Sequence, residues 1–189
     1  MSARGRAIAG GYTLVEVVAA LAVLAVGAAG VVAMQKAVLT ANARARDLTA
    51  ASAIAMTWAT RARVDALQWN DPGGVSDLGG TAWLDVTESQ PGTTAPPAEV
   101  PGLGAPAADS LGADLYAGDG APAAFCTHLR FTRPAPAWPD LIRVEIRVFW
   151  DRSGGPVDCS ADPGDVDTGQ GRFGAVHLTT SVLRNTLQD

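Results

Sequence analysis

Catalytic equipment is scarce in this chain. It has two cysteines and two histidines among 189 residues, and it has no nucleophile elbow, zinc-binding helix, phosphate-cradling P-loop or dinucleotide fingerprint. No catalytic residue and no cofactor is therefore assigned. Basic residues are outnumbered, 14 against 19 acidic, for a formal charge of -5. That balance argues against the cationic footprint of a nucleic-acid binder, and no nucleic-acid partner is expected. Proline is absent from the first 71 residues, so nothing of that kind interrupts a helix there. Charge is absent from Val17 to Met34.

The uncharged run is almost wholly apolar and spans about 27 Å as a helix, close to the hydrocarbon thickness of a bilayer. One carboxylate, Glu16, stands at its edge, where an acid beside lipid is costly and normally has a task. Arg4 and Arg6 precede the run and place the short N-terminal segment in the cytoplasm by the positive-inside rule, although Lys36, Arg44 and Arg46 blur the bias. A secretory signal carries its small-residue cleavage site after the apolar stretch. Here Gly10-Gly11 lies before it, so a cut at that point leaves the anchor attached. Removing a leader with Arg4 and Arg6 takes the charge from -5 to -7.

Helical periodicity continues past the membrane, with Leu48, Ala51, Ala55, Trp58 and Ala62 three and four residues apart until Asn70-Asp71-Pro72-Gly73-Gly74. One helix from about Tyr12 to about Trp69 is expected, greasy on all sides at first and amphipathic later. Residues 72–139 are rich in Gly, Pro, Ala and Thr and read as ordered loop, with a short strand-like piece at Ala82–Thr87. Three stronger strands follow, around Phe125–Thr132, Ile142–Trp150 and Val176–Val182. Their alternation, with one face polar, predicts an antiparallel meander packed on the apolar stripe of the helix. The fold class is α+β. The divisions are a leader at 1–11, a transmembrane half-helix at 12–35, an amphipathic half at 36–71 and an exported globular domain at 72–189.

Cys126 and Cys159 fall in the exported part, where a thiol pair tends to be oxidised; two unpaired thiols are the alternative. No metal site is assigned. His128 and His177 lie on strands without a serine or cysteine partner and read as core-edge or surface residues. Asp151, Asp158, Asp162, Asp165 and Asp167 crowd a loop without EF-hand spacing, which reads as solvated, with calcium as the alternative. The five tryptophans read as core and interface filler. Glu16 has a candidate partner. After a cut behind Gly11 the new ammonium of Tyr12, on the same chain or a neighbour, lies within one helical turn; a Glu reaching for the headgroups is the plainer reading.

Gly11-Tyr12-Thr13-Leu14-Val15-Glu16 followed by the apolar run resembles the type IV prepilin signal. The resemblance implies cleavage after Gly11 by a prepilin peptidase, methylation of the Tyr12 amine, and assembly with major and minor pilins through the N-terminal helix, in which Glu16 takes part. It also implies an inner-membrane protein with a cytoplasmic N-terminus, inner-membrane lipid around its helix, and an inner-membrane pilus assembly platform as partner. Ala25–Gly30 with Gln35, Ala55-Met56 and Arg61-Ala62-Arg63 look most like minor pilins of the PilV type. Minor pseudopilins of type II secretion carry similar runs. A membrane-anchored periplasmic binding module or a tip adhesin is the alternative from another class.

Overall fold

The structure, a computed structural model, describes residues 13–69, 78–169 and 171–184. Gly11, Tyr12 and the expected helix stop at Asn70–Gly74 lie outside these residues. The chain divides into two compact units, one up to Ala43 and one from Arg44.

Helix α1, Leu14–Asp65, runs through the division and is followed by a 3-10 turn at Ala66–Trp69. Its residues are mostly Ala, Val and Leu, and exposed Ser and Thr side chains are accommodated by bonding back one turn, as Thr40 does to Lys36 O and Ser52 to Leu48 O. In the first unit every described residue is exposed, Val17, Leu21, Leu24 and Val31 included. A helical stretch apolar on all sides and uncovered by the other described residues requires lipid or other helices around it. It is the one helix among the described residues long and apolar enough to cross a membrane.

The second unit is built on a six-stranded antiparallel sheet. β1 (Thr94–Ala95), β2 (Ala107–Ala108) and β3 (Asp114–Leu115) are short, whereas β4 (Phe125–Thr132), β5 (Leu141–Asp151) and β6 (Phe173–Leu183) are long. The order is β3-β2-β4-β5-β6, with β1 also on β4. In the meander Ile146 pairs with Leu129 on one side and Leu178 on the other. Ala51, Ile54, Ala55, Trp58, Ala59 and Ala62 of α1 share one core with Leu129, Val144, Ile146 and Val148. Small alanines let the helix approach the sheet while Trp58 fills the middle, meeting Trp83 edge-on at 5.2 Å between ring centroids.

Four expectations are corrected. Ala82–Thr87 is not a strand: Ala82, Trp83 and Leu84 all donate backbone N–H groups to the Asp65 carboxylate, which gathers them into a turn leading to α2 (Val86–Ser89). The loop before β4 contributes the three two-residue strands. Leu48 is exposed, and the buried stripe begins at Ala51. The far face of the sheet is also not simply wet. The segment between β5 and β6, with α3 at Pro163–Thr168, covers it and forms a second small core of Cys126, Phe149, Val157 and Val166.

Candidate assembly site

Thr13 caps α1, its hydroxyl accepting the Glu16 N–H at 3.3 Å. Thr13 and Glu16 have the spacing of a capping box, and an acid in the first turn complements the helix dipole. This role of Glu16 was legible in Thr-x-x-Glu but is obscured by the apolar residues on both sides. Glu16 is exposed and followed by exposed apolar residues, so an approaching helix would desolvate its carboxylate. Gly11 and Tyr12, the expected cut and new amine, lie outside the described residues.

The globular unit holds its titratable groups in structural roles. Cys126 and Cys159, 33 positions apart in sequence, are joined in a disulfide with Cα atoms 5.1 Å apart. This pins the segment after β5 over the far face of the sheet. Replacing both cysteines by serine should lower unfolding free energy by roughly 3 to 4 kcal/mol, from the loop-closure entropy of a chain of that length. Urea unfolding with and without the bridge measures it.

His128 is fully buried, deeper than an edge position. Its Nδ1 lies 3.1 Å from Arg147 Nη2; because a guanidinium only donates, Nδ1 is the acceptor and the proton sits on Nε2. Arg147 also pairs with Asp167 and donates to Pro163 O at 3.3 Å, which fastens α3. Burial, then the Arg147 charge, lower the His128 pKa to about 4. The folded state thus binds this proton less readily than the unfolded chain. Its stabilising contribution is complete above about pH 6.5, falls through the window down to about 4, and changes by up to about 1.4 kcal/mol per pH unit. Unfolding curves at pH 7 and pH 4.5 should show the loss, and His128→Gln should flatten it.

The five aspartates of the acid-rich loop do not act as one group, and not all are solvated. Asp151 is buried, accepting from Ser153 Oγ at 2.6 Å and Arg172 Nε at 2.8 Å, and these bonds lower its pKa to about 2. Asp158 is lowered by the Ser160 hydroxyl. Asp162 caps α3 through Gly164 N–H, and Asp167 pairs with Arg147. Among the described residues no three metal-ligating side chains converge. His177 lies opposite Arg147 on the neighbouring strand and is exposed.

The segment that carries Thr13, Glu16 and the apolar run decides the relationship. Residues 6–32 match the family model described as the prokaryotic N-terminal methylation motif. The match indicates a type IV pilin-like protein, of a pilus or a pseudopilus. Pilin-like proteins are typically structural rather than enzymatic, and the motif implies processing by a prepilin peptidase and assembly with other pilins. The motif and the exposed apolar helix fit membrane anchoring. No curated protein and no solved structure matches the chain.

Proposed function

We propose that this pilin-like protein is a minor pilin that helps initiate a type IV pilus or cap its tip, without an enzymatic activity. The observation that carries the reading is Glu16, fifth residue after Gly11, at the head of a helix whose first half, up to Ala43, leaves its apolar surface exposed among the described residues. Such a helix is complete only in a membrane and then among other helices.

Two of the positions that resemble PilV-type minor pilins fasten α1 to the sheet. Arg61 stacks over Trp58 at 4.8 Å and pairs with Asp114 of β3, while Arg63 reaches Thr180 of β6 at 3.2 Å. These two arginines tie the helix to opposite ends of the sheet order. The proposed topology is a leader at 1–11 in the cytoplasm, an inner-membrane half-helix and an exported domain. The proposed processing is a cut after Gly11 and methylation of Tyr12.

Mass spectrometry of the native N-terminus should find Tyr12 carrying one methyl group. An intact Met1 or Ser2 start would remove the pilin reading and leave an anchored binding module. Deleting the gene should abolish surface pili; a strain that keeps pili but loses secretion of folded exoproteins assigns the chain to a type II secretion pseudopilus.

A further inference from the structure

Three charged side chains of the globular unit meet around one groove without pairing. The groove, of about 310 Å³, lies where α1 enters the unit: Arg44, Asp47 and Leu48 of the helix line it with Trp150, Arg152 and Gly174 from the end of β5 and the start of β6. A Cβ at Gly174 would lie 2.5 Å from the Trp150 ring, so the ring rests on bare backbone and the floor of the groove is apolar. Arg44 and Arg152 are exposed and Asp47 is half-buried. Among the described residues none of the three forms an ion pair, although Arg44 and Asp47 stand one turn apart on the helix.

Position says what the groove meets. Leu39 is the last large exposed apolar residue before Arg44, which follows five residues later, about 7.5 Å of helical rise. The headgroup layer of a bilayer is roughly 5 to 7 Å deep on each side of the hydrocarbon. Side chains on a helix lean toward its N-terminus, here toward the anchor, which carries the Arg44 guanidinium down to that layer. The acid-rich segment between β5 and β6 covers the opposite face of the sheet, and none of its carboxylates lines the groove.

We propose that this groove binds the headgroup of an aminophospholipid of the phosphatidylethanolamine class, with Arg44 and Arg152 on the phosphate and Asp47 on the ammonium. Guanidinium groups present paired donors that match phosphate oxygens. A headgroup without an ammonium would leave Asp47 unpaired beside a phosphate, and a quaternary ammonium would offer it no N–H. Leu48 and Trp150 take the apolar carbons next to the phosphate. The site also gives a task to Arg44, which on the exported side of the anchor runs against the positive-inside tendency. The inference rests on the membrane-anchored reading of α1 and on no particular filament.

Two measurements separate the groove from the anchor. The full chain is floated with phosphatidylcholine vesicles on a density gradient, which reads anchoring alone. It is then equilibrated in mild detergent with equal parts of phosphatidylethanolamine, phosphatidylglycerol and phosphatidylcholine carrying the same acyl chains, and retained lipid is counted by native mass spectrometry. The expected result is flotation, with one phosphatidylethanolamine held per chain at a preference of about fivefold or more over either other lipid. Arg44→Gln combined with Arg152→Gln should cut that retention about tenfold or more while flotation and thermal unfolding stay unchanged. Asp47→Asn should abolish the preference over phosphatidylglycerol without lowering total lipid. Arg46→Gln removes a neighbouring exposed cation that does not line the groove and should change nothing.

A chain that fails to float overturns the anchored reading and the groove with it. A chain that floats but retains the three lipids equally overturns the groove alone. So does retention that survives the loss of both arginines, a preference that survives Asp47→Asn, or an equal loss with Arg46→Gln, which would mark a diffuse effect of charge.

Discussion

Asp65→Ala should lower the unfolding free energy by roughly 3 to 5 kcal/mol, the largest loss expected from any single polar residue of the globular unit. Asp65 ends α1 and is buried, 5% exposed. Its carboxylate accepts from Ala82 N at 2.6 Å, Trp83 N at 2.9 Å and Leu84 N at 3.1 Å. Alanine would strand three donors, two of them fully enclosed. Hydrogen bonds to a charged acceptor contribute about 1.5 to 3 kcal/mol each, and water entering the vacated space offsets part of the sum. The turn they hold carries Trp83, whose indole N–H bonds to Ala98 O at 2.8 Å and whose ring packs on Trp58. Loss should therefore spread from the turn into the core. Asp65→Asn keeps one acceptor oxygen and should fall between the two. Urea unfolding followed by tryptophan fluorescence measures all three proteins; a change below about 1 kcal/mol for alanine, the size of one ordinary hydrogen bond, would refute this account of the turn.

Glu16→Ala should leave cleavage and membrane insertion intact and reduce incorporation into sheared filaments by about two orders of magnitude or more. The proposed partner is the ammonium of Tyr12 on the same or a neighbouring chain, once the leader is gone. Helices packing around Glu16 desolvate the carboxylate, and breaking a buried pair by removing one member costs about 3 to 5 kcal/mol. Glu16→Gln preserves shape and separates charge from packing; it should assemble as poorly as alanine. Thr13→Ala supplies the control, because it removes the helix cap at 3.3 Å without touching the charge. Equal loss of incorporation in Thr13→Ala would mean that capping, not pairing, is the task of Glu16. Quantitative blotting of sheared and membrane fractions reads each case.

The long elements were legible because they obey a single period over many residues. α1 keeps its apolar spacing without a proline, and β4, β5 and β6 alternate for eight to eleven residues. Ala82–Thr87 was misread because its apolar residues are buried through a turn, and the cause of the turn, Asp65, lies 17 residues earlier. β1, β2 and β3 are too short to show alternation, being fixed by pairing with β4 or one another. The burial of His128 and Phe149 followed from a cover that lies beyond β5 in sequence, a relation no local pattern encodes. The proposed processing and assembly address, Gly11, Tyr12 and Glu16, lies within residues 6–32, the stretch that matches the N-terminal methylation motif, and an enzyme that reads a linear segment needs no fold to find it.

The bridge between Cys126 and Cys159 has a mechanical side. It closes a ring that contains almost all of β4 and the whole of β5, the strand flanked on both sides by the long neighbours. Tension drawn along the backbone from the helix toward the C-terminus passes through the sulfur atoms and skips the ring. β5 cannot be peeled out by such a pull, and a protease that nicks the connection between β4 and β5 leaves two pieces still covalently joined. The globular unit would thus keep its sheet together after a cut or a tug that would undo an unbridged one.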